Sequence, residues 1–363
     1  MEKRATIFYY IFIILIFLVY SIRSTILIEF DDFSVLLYSS FLFIFVKLIF
    51  TKYQNKDLFK IIPLGFIGLI SLYFTREIQI LLAILMIIGS KNTNFNTTLK
   101  ITFWTRLSVS SLIMFLSSFN IIENRIFQHV RENDVVLRNS LGFVHPNQLG
   151  LIFFNLICLY LLIYKPRIKI ITFGIIFSFN FFVYYLTMSR TSFVMVNVML
   201  IGWMVEKLIF KFKISYFLNI LIFPSLLSIS YILPTLPRTP LIRNLDHLLQ
   251  FRITLSTFFI ENFGVPLFGQ VLNLNQFSHM FIFLDSSYLN LILRYGIIVT
   301  ILFVLFTYLI NKQSFLRKNY TLMLVSSIIA IYGFFENIIF SMFLNVVIFY
   351  WSHIIFDFES KEK

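Results

Sequence analysis

Long apolar runs fill most of this chain, broken at intervals by short clusters of Lys, Arg, Asn and Pro. A helix needs about 20 apolar residues to cross a bilayer, and shorter or tilted crossings are tolerated. On that measure the runs predict spans over 6–22, 33–50, 61–75, 78–90 and 101–119, then 148–164, 170–187, 192–210 and 214–233, and last 286–310, 321–335 and 338–356. The expected fold is all-α, a polytopic integral membrane protein of about 12 transmembrane helices in a single membrane domain over 1–363. Two polar intervals are long enough to build a site, 120–147 before the sixth span and 234–287 before the tenth. Both are expected to be partly helical. In the second, Leu241, Leu245, Leu248, Leu255 and Phe259 keep the spacing of one helical face. Arg252 falls in the middle of that face and Arg243 on the opposite side, which predicts an amphipathic helix at the membrane surface.

The segment 61–90 fits either one long span or a hairpin turning at Arg76 and Glu77. Parity favours the hairpin. With it, Lys52, Lys56, Lys60, Lys91 and Lys100, the lysine-bearing loops at 165–169, 207–213 and 312–318, and both termini all fall on the cytoplasmic side. That is the arrangement the positive-inside rule requires. Residues 1–20 have the outline of a signal peptide, yet bulky Tyr20, Ile22 and Arg23 stand where a cleavage site would need small residues, so 6–22 reads as the first span.

Composition fits a protein whose solvent is lipid. The 363 residues are 59% hydrophobic and 13% charged, against roughly 25% charged in a soluble domain. The net charge of +13 comes from basic residues scattered between apolar runs, not from a stripe that would bind nucleic acid. Cys158 is the one cysteine, so neither a disulfide framework nor a cysteine metal cage is possible, and it reads as a core residue. His129, His247 and His279 lack metal-ligand spacing, and no Walker, zinc-protease or Gly-x-Ser-x-Gly motif occurs. Neither metal nor cofactor is expected.

The topology places Arg23, Arg76, Arg125, Arg131, Arg138, Arg190, Arg238, Arg243, Arg252 and Arg294 on the outer side, and no lysine with them. One reading is simple lysine enrichment in the cytoplasmic loops. The other is an outer face that handles phosphate or pyrophosphate, which the guanidinium fork binds bidentately and an ammonium does not.

Within that face, Gly142-Phe143-Val144-His145-Pro146-Asn147 opens the sixth span, with Pro146 suited to a first helical turn. His145 and Asn147 either start the helix or face an outer cavity and hydrogen-bond a sugar or phosphate. Arg190 lies in the turn Ser189-Arg190-Thr191, where Thr191 or Ser192 can cap the eighth span; it either snorkels to head groups or binds an anion at the helix N-terminus. Asp285, in Asp285-Ser286-Ser287-Tyr288, suits the N-cap of the tenth span or a general base at the mouth of an outer cavity. Glu336 is a carboxylate near the membrane core, a position that marks function. His353, in the last span, reads as a packed residue.

Taken in order, Arg138 with Gly142 to Asn147, Ser189-Arg190-Thr191-Ser192, Arg252 with Pro266-Leu267-Phe268-Gly269, and Leu284-Asp285-Ser286-Ser287-Tyr288-Leu289 with Tyr295-Gly296 resemble bacterial Wzy-type polysaccharide polymerases, relatives of the O-antigen ligases. The resemblance covers roughly 135–345. It implies a metal-independent membrane glycosyltransferase in the bacterial cytoplasmic membrane that joins undecaprenyl-pyrophosphate-linked oligosaccharide units into a capsule, exopolysaccharide or O-antigen-like polymer. Arg190 and Arg252 match the family's pyrophosphate-binding arginines. Arg138, Arg243, His145, Asn147 and Tyr288 join them as substrate-binding candidates, with Asp285 and Glu336 as catalytic ones. The implied partners are the lipid-linked donor and acceptor and the surrounding membrane lipid, with room for a flippase and a chain-length regulator, and no nucleic acid. Asp285 stands where ligases usually have a histidine, and Arg252 lacks the Trp that often follows it in ligases. The alternatives are a ligase, or a flippase for the same lipid-linked sugars; against the flippase stand the long outer loop and the absence of symmetry between halves.

Overall fold

The computed structural model describes residues 2–29, 33–131, 134–166, 169–274 and 283–356. The chain divides into two compact units, one of Met1–Gln54 with Met86–Glu206 and one of Asn55–Leu85 with Lys207–Lys363.

The first unit holds α1 (Glu2–Arg23), α2 (Ser34–Ile49), the end of α4 (Gln79–Gly89), α5 (Phe95–Ser118), strands β1 (Ile126–Arg131) and β2 (Asp134–Asn139), α6 (Pro146–Tyr164), α7 (Lys169–Thr187) and α8 (Arg190–Ile209). The second holds α3 (Asn55–Thr75), the start of α4, α9 (Lys213–Ile232), α10 (Pro240–Leu248), α11 (Arg252–Phe263), the short α12 (Ser287–Leu289) running into a π-helical turn (Asn290–Tyr295), α13 (Gly296–Leu316), α14 (Tyr320–Tyr332) and α15 (Ser352–Ile355), the last preceded by a 3₁₀ segment.

Among the described residues eight helical segments are long and apolar enough to cross a membrane. Four shorter apolar ones, Ser34–Ile49, Gln79–Gly89, Tyr320–Tyr332 and Val346–Ile355, fall at the other four expected spans. The polarity of the helices is inverted relative to a soluble protein. In α3 the buried positions are Asp57, Ile61, Leu64, Gly68, Ser71 and Thr75, while Phe59, Phe66, Leu69 and Tyr73 are exposed. In α7 Asn180, Val183 and Thr187 face inward while Ile170, Ile175, Phe179 and Phe182 face out. Only a bilayer makes such an exterior stable, because lipid tails solvate apolar side chains and leave polar ones to find partners inside. This is a membrane-embedded protein. Along the buried face of α5, Thr102, Arg106 and Ser110 follow at four-residue spacing, and Arg106 donates to Asn155 Oδ1 of α6 at 3.1 Å.

Helix ends meet in the pattern the hairpin at 61–90 demands. In the first unit Lys47 Nζ donates to the Lys91 carbonyl and Lys91 Nζ to that of Lys52, while Tyr9 and Tyr10 reach Met86 and Asn94. The chain therefore leaves at α3 and returns through α4 to the end it left. In the second unit α3 and α4 are separate helices turning at Arg76, which has φ +59°. Gly68 there lies close against Leu81 and Ile84 of α4.

Four expectations need correction. The described residues of 120–145 are not helical: β1 and β2 pair antiparallel, from Ile126 with Asn139 to Arg131 with Asp134. The pairing turns Ile126, Val135 and Leu137 outward and Arg138 inward, the two-residue period of a strand. The amphipathic helix of 241–259 is two helices, broken at Leu249–Phe251 where Gln250 and Phe251 adopt positive φ. Leu248 is 79% exposed and Phe259 buried, so the five apolar residues share no face. The span expected over 286–310 is interrupted by the π turn and Gly296, and runs on to Leu316. Lastly, 333–345 is irregular, so helical structure in the span expected over 338–356 begins only at Val346.

Candidate functional site

The start of α11 and the two segments that flank α12 and follow α14 build the site, all within the second unit. α11 begins where it does because Asp246 caps it from the preceding helix: Oδ1 accepts from the Ile253 N–H at 2.8 Å and the Thr254 N–H at 3.2 Å, and Oδ2 takes the Thr254 hydroxyl and Arg238 Nη1. That cap puts Arg252 at the first helical position, not mid-face on a longer helix. Phe259, two turns on, packs with Leu284, Leu289 and Leu293, which anchors α11 beside the start of α12.

Arg252 then binds both candidate carboxylates. Its Nη2 lies 3.1 Å from Asp285 Oδ2 and 3.9 Å from Glu336 Oε1. Nη1 donates to the Phe335 carbonyl, and the guanidinium stands over the Phe335 ring at 5.9 Å. Burial pushes the Asp285 carboxyl above its ordinary pKa, and the Arg252 charge opposes that shift.

Buried polar contacts hold the two acids in place. Ser287 Oγ donates to the Glu336 carbonyl at 2.5 Å and accepts from the N–H groups of Ile338 and Ile339, while the Ser287 N–H donates to the Gly333 carbonyl. Asn290 Nδ2 donates to Asn337 Oδ1 at 2.7 Å and to the Leu284 carbonyl at 2.8 Å, which Asn337 Nδ2 also reaches. Behind them Gly269 and Gly296, at φ +106° and +84°, lie in contact, and the Pro266 and Leu267 carbonyls accept from Ile297 and Ile298, so the irregular segment after α11 caps α13. Beside Arg252 and Asp285 opens a pocket whose walls include Ile229, Leu233, Ile253, Leu284 and Phe334.

Several candidates take other roles. Asp285 is not the N-cap of α12; Ser286 occupies that position, and the Asp285 carboxylate is turned to Arg252. Tyr288 cannot touch a substrate as placed, being 0% exposed with its hydroxyl donating to the Ala330 carbonyl at 2.8 Å. Arg243 is an exposed residue of α10, and His247 lies on the same helix against Phe251.

In the first unit, Arg138 is buried, with Nε donating to the Thr187 carbonyl at 3.0 Å and Nη2 to Asn147 Oδ1 at 2.5 Å and Ser189 Oγ at 3.3 Å. His145 caps α6, its Nδ1 accepting from the Asn147 N–H at 3.2 Å, and its ring meets Phe127. Burial and the Arg138 charge lower its pKa. Arg138, His145 and Asn147 therefore tie the β-hairpin to α6 and to the turn between α7 and α8, and the expected cavity-facing roles of His145 and Asn147 are not what this geometry provides. Thr191 and Ser192 lie inside the first turn of α8 and do not cap it, because the helix begins at Arg190. Arg190 is exposed. Cys158 is a buried free thiol, as expected. His279 and the side chain of His129 lie outside the described residues.

Sequence reading gave no role to Asp246, Ser287, Asn290 and Asn337. Asn337 adjoins Glu336 and Ser287 adjoins Ser286, but nothing in the local pattern says that these two stretches meet. Among the described residues no group of three His, Cys, Asp or Glu side chains comes close enough to hold a metal ion. Comparisons with protein-family models, curated proteins and solved structures find no match to this chain.

Proposed function

We propose that this protein is a membrane glycosyltransferase that polymerises undecaprenyl-pyrophosphate-linked oligosaccharide repeat units on the outer face of the bacterial cytoplasmic membrane. In this reading all twelve apolar segments cross the membrane, both termini are cytoplasmic, and the interval 234–287 is the large outer loop. The observation that carries the proposal is one guanidinium, Arg252, held between two carboxylates at the edge of a largely apolar pocket. The motif resemblance over roughly 135–345 points the same way.

The chemistry needs three elements. Asp285 takes the proton from an acceptor sugar hydroxyl, and its raised pKa makes it a better base than an ordinary aspartate. The oxygen forms a bond to the anomeric carbon of the donor as the bond from that carbon to pyrophosphate breaks. The electron pair leaves on pyrophosphate, whose charge Arg252 stabilises through charge-assisted hydrogen bonds worth about 1.5–3 kcal/mol each. Glu336 shares the guanidinium and holds it ready.

The test is Arg252→Lys, which keeps the charge and loses the fork. With the protein expressed at normal level, polymer should collapse to single repeat units, while Lys56→Arg leaves it unchanged. Full-length polymer from Arg252→Lys would end the pyrophosphate role.

A further inference from the structure

Many hydroxyls of the second unit make the local bond that Ser and Thr ordinarily make in helices, to a carbonyl three or four residues back. Thr235 bonds Ile232, Thr257 bonds Ile253, Thr300 bonds Gly296 and Ser327 bonds Met323. Three serines line the pocket, Ser230, Ser256 and Ser286, and the hydroxyls of Ser230 and Ser286 are buried without such a bond. Ser230, near the end of α9, is 5% exposed, and its Oγ has no hydrogen-bond partner among the described residues. Ser286 sits at the N-cap of α12, where a serine ordinarily accepts from a first-turn N–H. It makes no such bond, and its Oγ is likewise buried and unpartnered among the described residues.

A buried hydroxyl without a partner costs free energy that an alanine would not, so two of them in one pocket mark places where a ligand supplies the partner. We propose that Ser230 and Ser286 are positioning residues for the acceptor sugar, hydrogen-bonding hydroxyls next to the one that Asp285 deprotonates and so setting which sugar is accepted. This inference rests on the polymerase reading. An isoprenoid tail has no atom to satisfy these hydroxyls, and a phosphate, which could accept from them, lacks the carbon faces that the aromatic wall matches. What remains is a ligand with several hydroxyls and carbon faces. The pocket wall supplies both complements, since Phe283 and Phe334 line it along with the two serines.

The experiment uses full-length purified protein in lipid nanodiscs and two probes. One is the lipid-linked repeat unit that accumulates in cells lacking this protein; the other is undecaprenyl pyrophosphate without sugar. Ser230→Ala and Ser286→Ala should each weaken binding of the sugar-bearing lipid by roughly 3- to 10-fold. Binding of the sugarless lipid should stay at the wild-type level, and thermal stability should be equal or higher. Equal weakening for both lipids would place the serines on the head group and overturn the inference. So would unchanged binding of both. In those two outcomes the wild-type protein still elongates the repeat unit and the polymerase reading stands. A wild-type protein that neither binds nor elongates the repeat unit would sink that reading, and the inference with it.

Discussion

At the residue scale, the arrangement at Arg252 makes Asp285 and its neighbour interdependent. Desolvation raises the Asp285 pKa and the guanidinium lowers it, so removing the guanidinium leaves the first effect unopposed. A base works deprotonated, so activity should fall as pH drops through the raised pKa, earlier than for an ordinary aspartate. The residual activity of Arg252→Gln should lose its acid limb at still higher pH than wild type, whereas Arg252→Lys should slow the reaction with little movement of that limb. A pH–rate profile with the acid limb unmoved in Arg252→Gln would mean that Asp285 is not the titrating base. Because Ser286 and not Asp285 holds the cap position, Asp285→Asn should fold and insert normally while losing roughly 10²- to 10⁴-fold in rate, and Glu should restore part of it. Near-wild-type turnover of the Asn variant would reassign the proton transfer to Glu336.

In the proposed mechanism the elements act through their ends. α11 matters because its first residue is Arg252, and that start is fixed by Asp246, whose carboxylate caps two N–H groups across the break from α10. Asp246→Ala should cost about 1–2 kcal/mol of cap energy, lowering the thermal midpoint and taking activity with it. Asp246→Asn, which still accepts from both N–H groups, should recover most of the stability; equal loss in both variants would show that the Arg238 pair is the larger contribution. The break at Gly296 works similarly. A side chain there would strain the backbone by about 1–3 kcal/mol and would meet the Gly269 amide. Gly296→Ala should therefore loosen the segment that caps α13, seen as faster hydrogen exchange at Ile297 and Ile298.

At the scale of the whole molecule the inverted polarity of the helices defines the surroundings, and the proposed function requires the site to face out. With Cys158 buried, single cysteines can be read without background. A membrane-impermeant thiol reagent on intact cells should label cysteines placed at Leu137 and Leu248, both exposed, and should not label one at Lys318. The opposite pattern would reverse the topology and put the carboxylates and Arg252 on the cytoplasmic side.

The sequence by itself determined the membrane class, the positions of the apolar segments and the hairpin at Arg76, because each depends on local hydropathy or on charge next to a span. It also pointed to Arg252, Asp285 and Glu336, as charged residues beside apolar runs. Their roles were another matter. That Asp285 pairs with Arg252 and leaves the cap to Ser286, that Tyr288 is sealed inside, and that Arg138 and Asn147 fasten a β-hairpin all follow from contacts between segments distant in the chain. The meeting of 284–290 with 333–339 through Ser287 and Asn290 is of the same kind. Hydropathy reports only how each residue partitions between water and lipid; which polar groups satisfy one another inside is settled when the helices pack, since in lipid an unsatisfied polar group has no water to turn to.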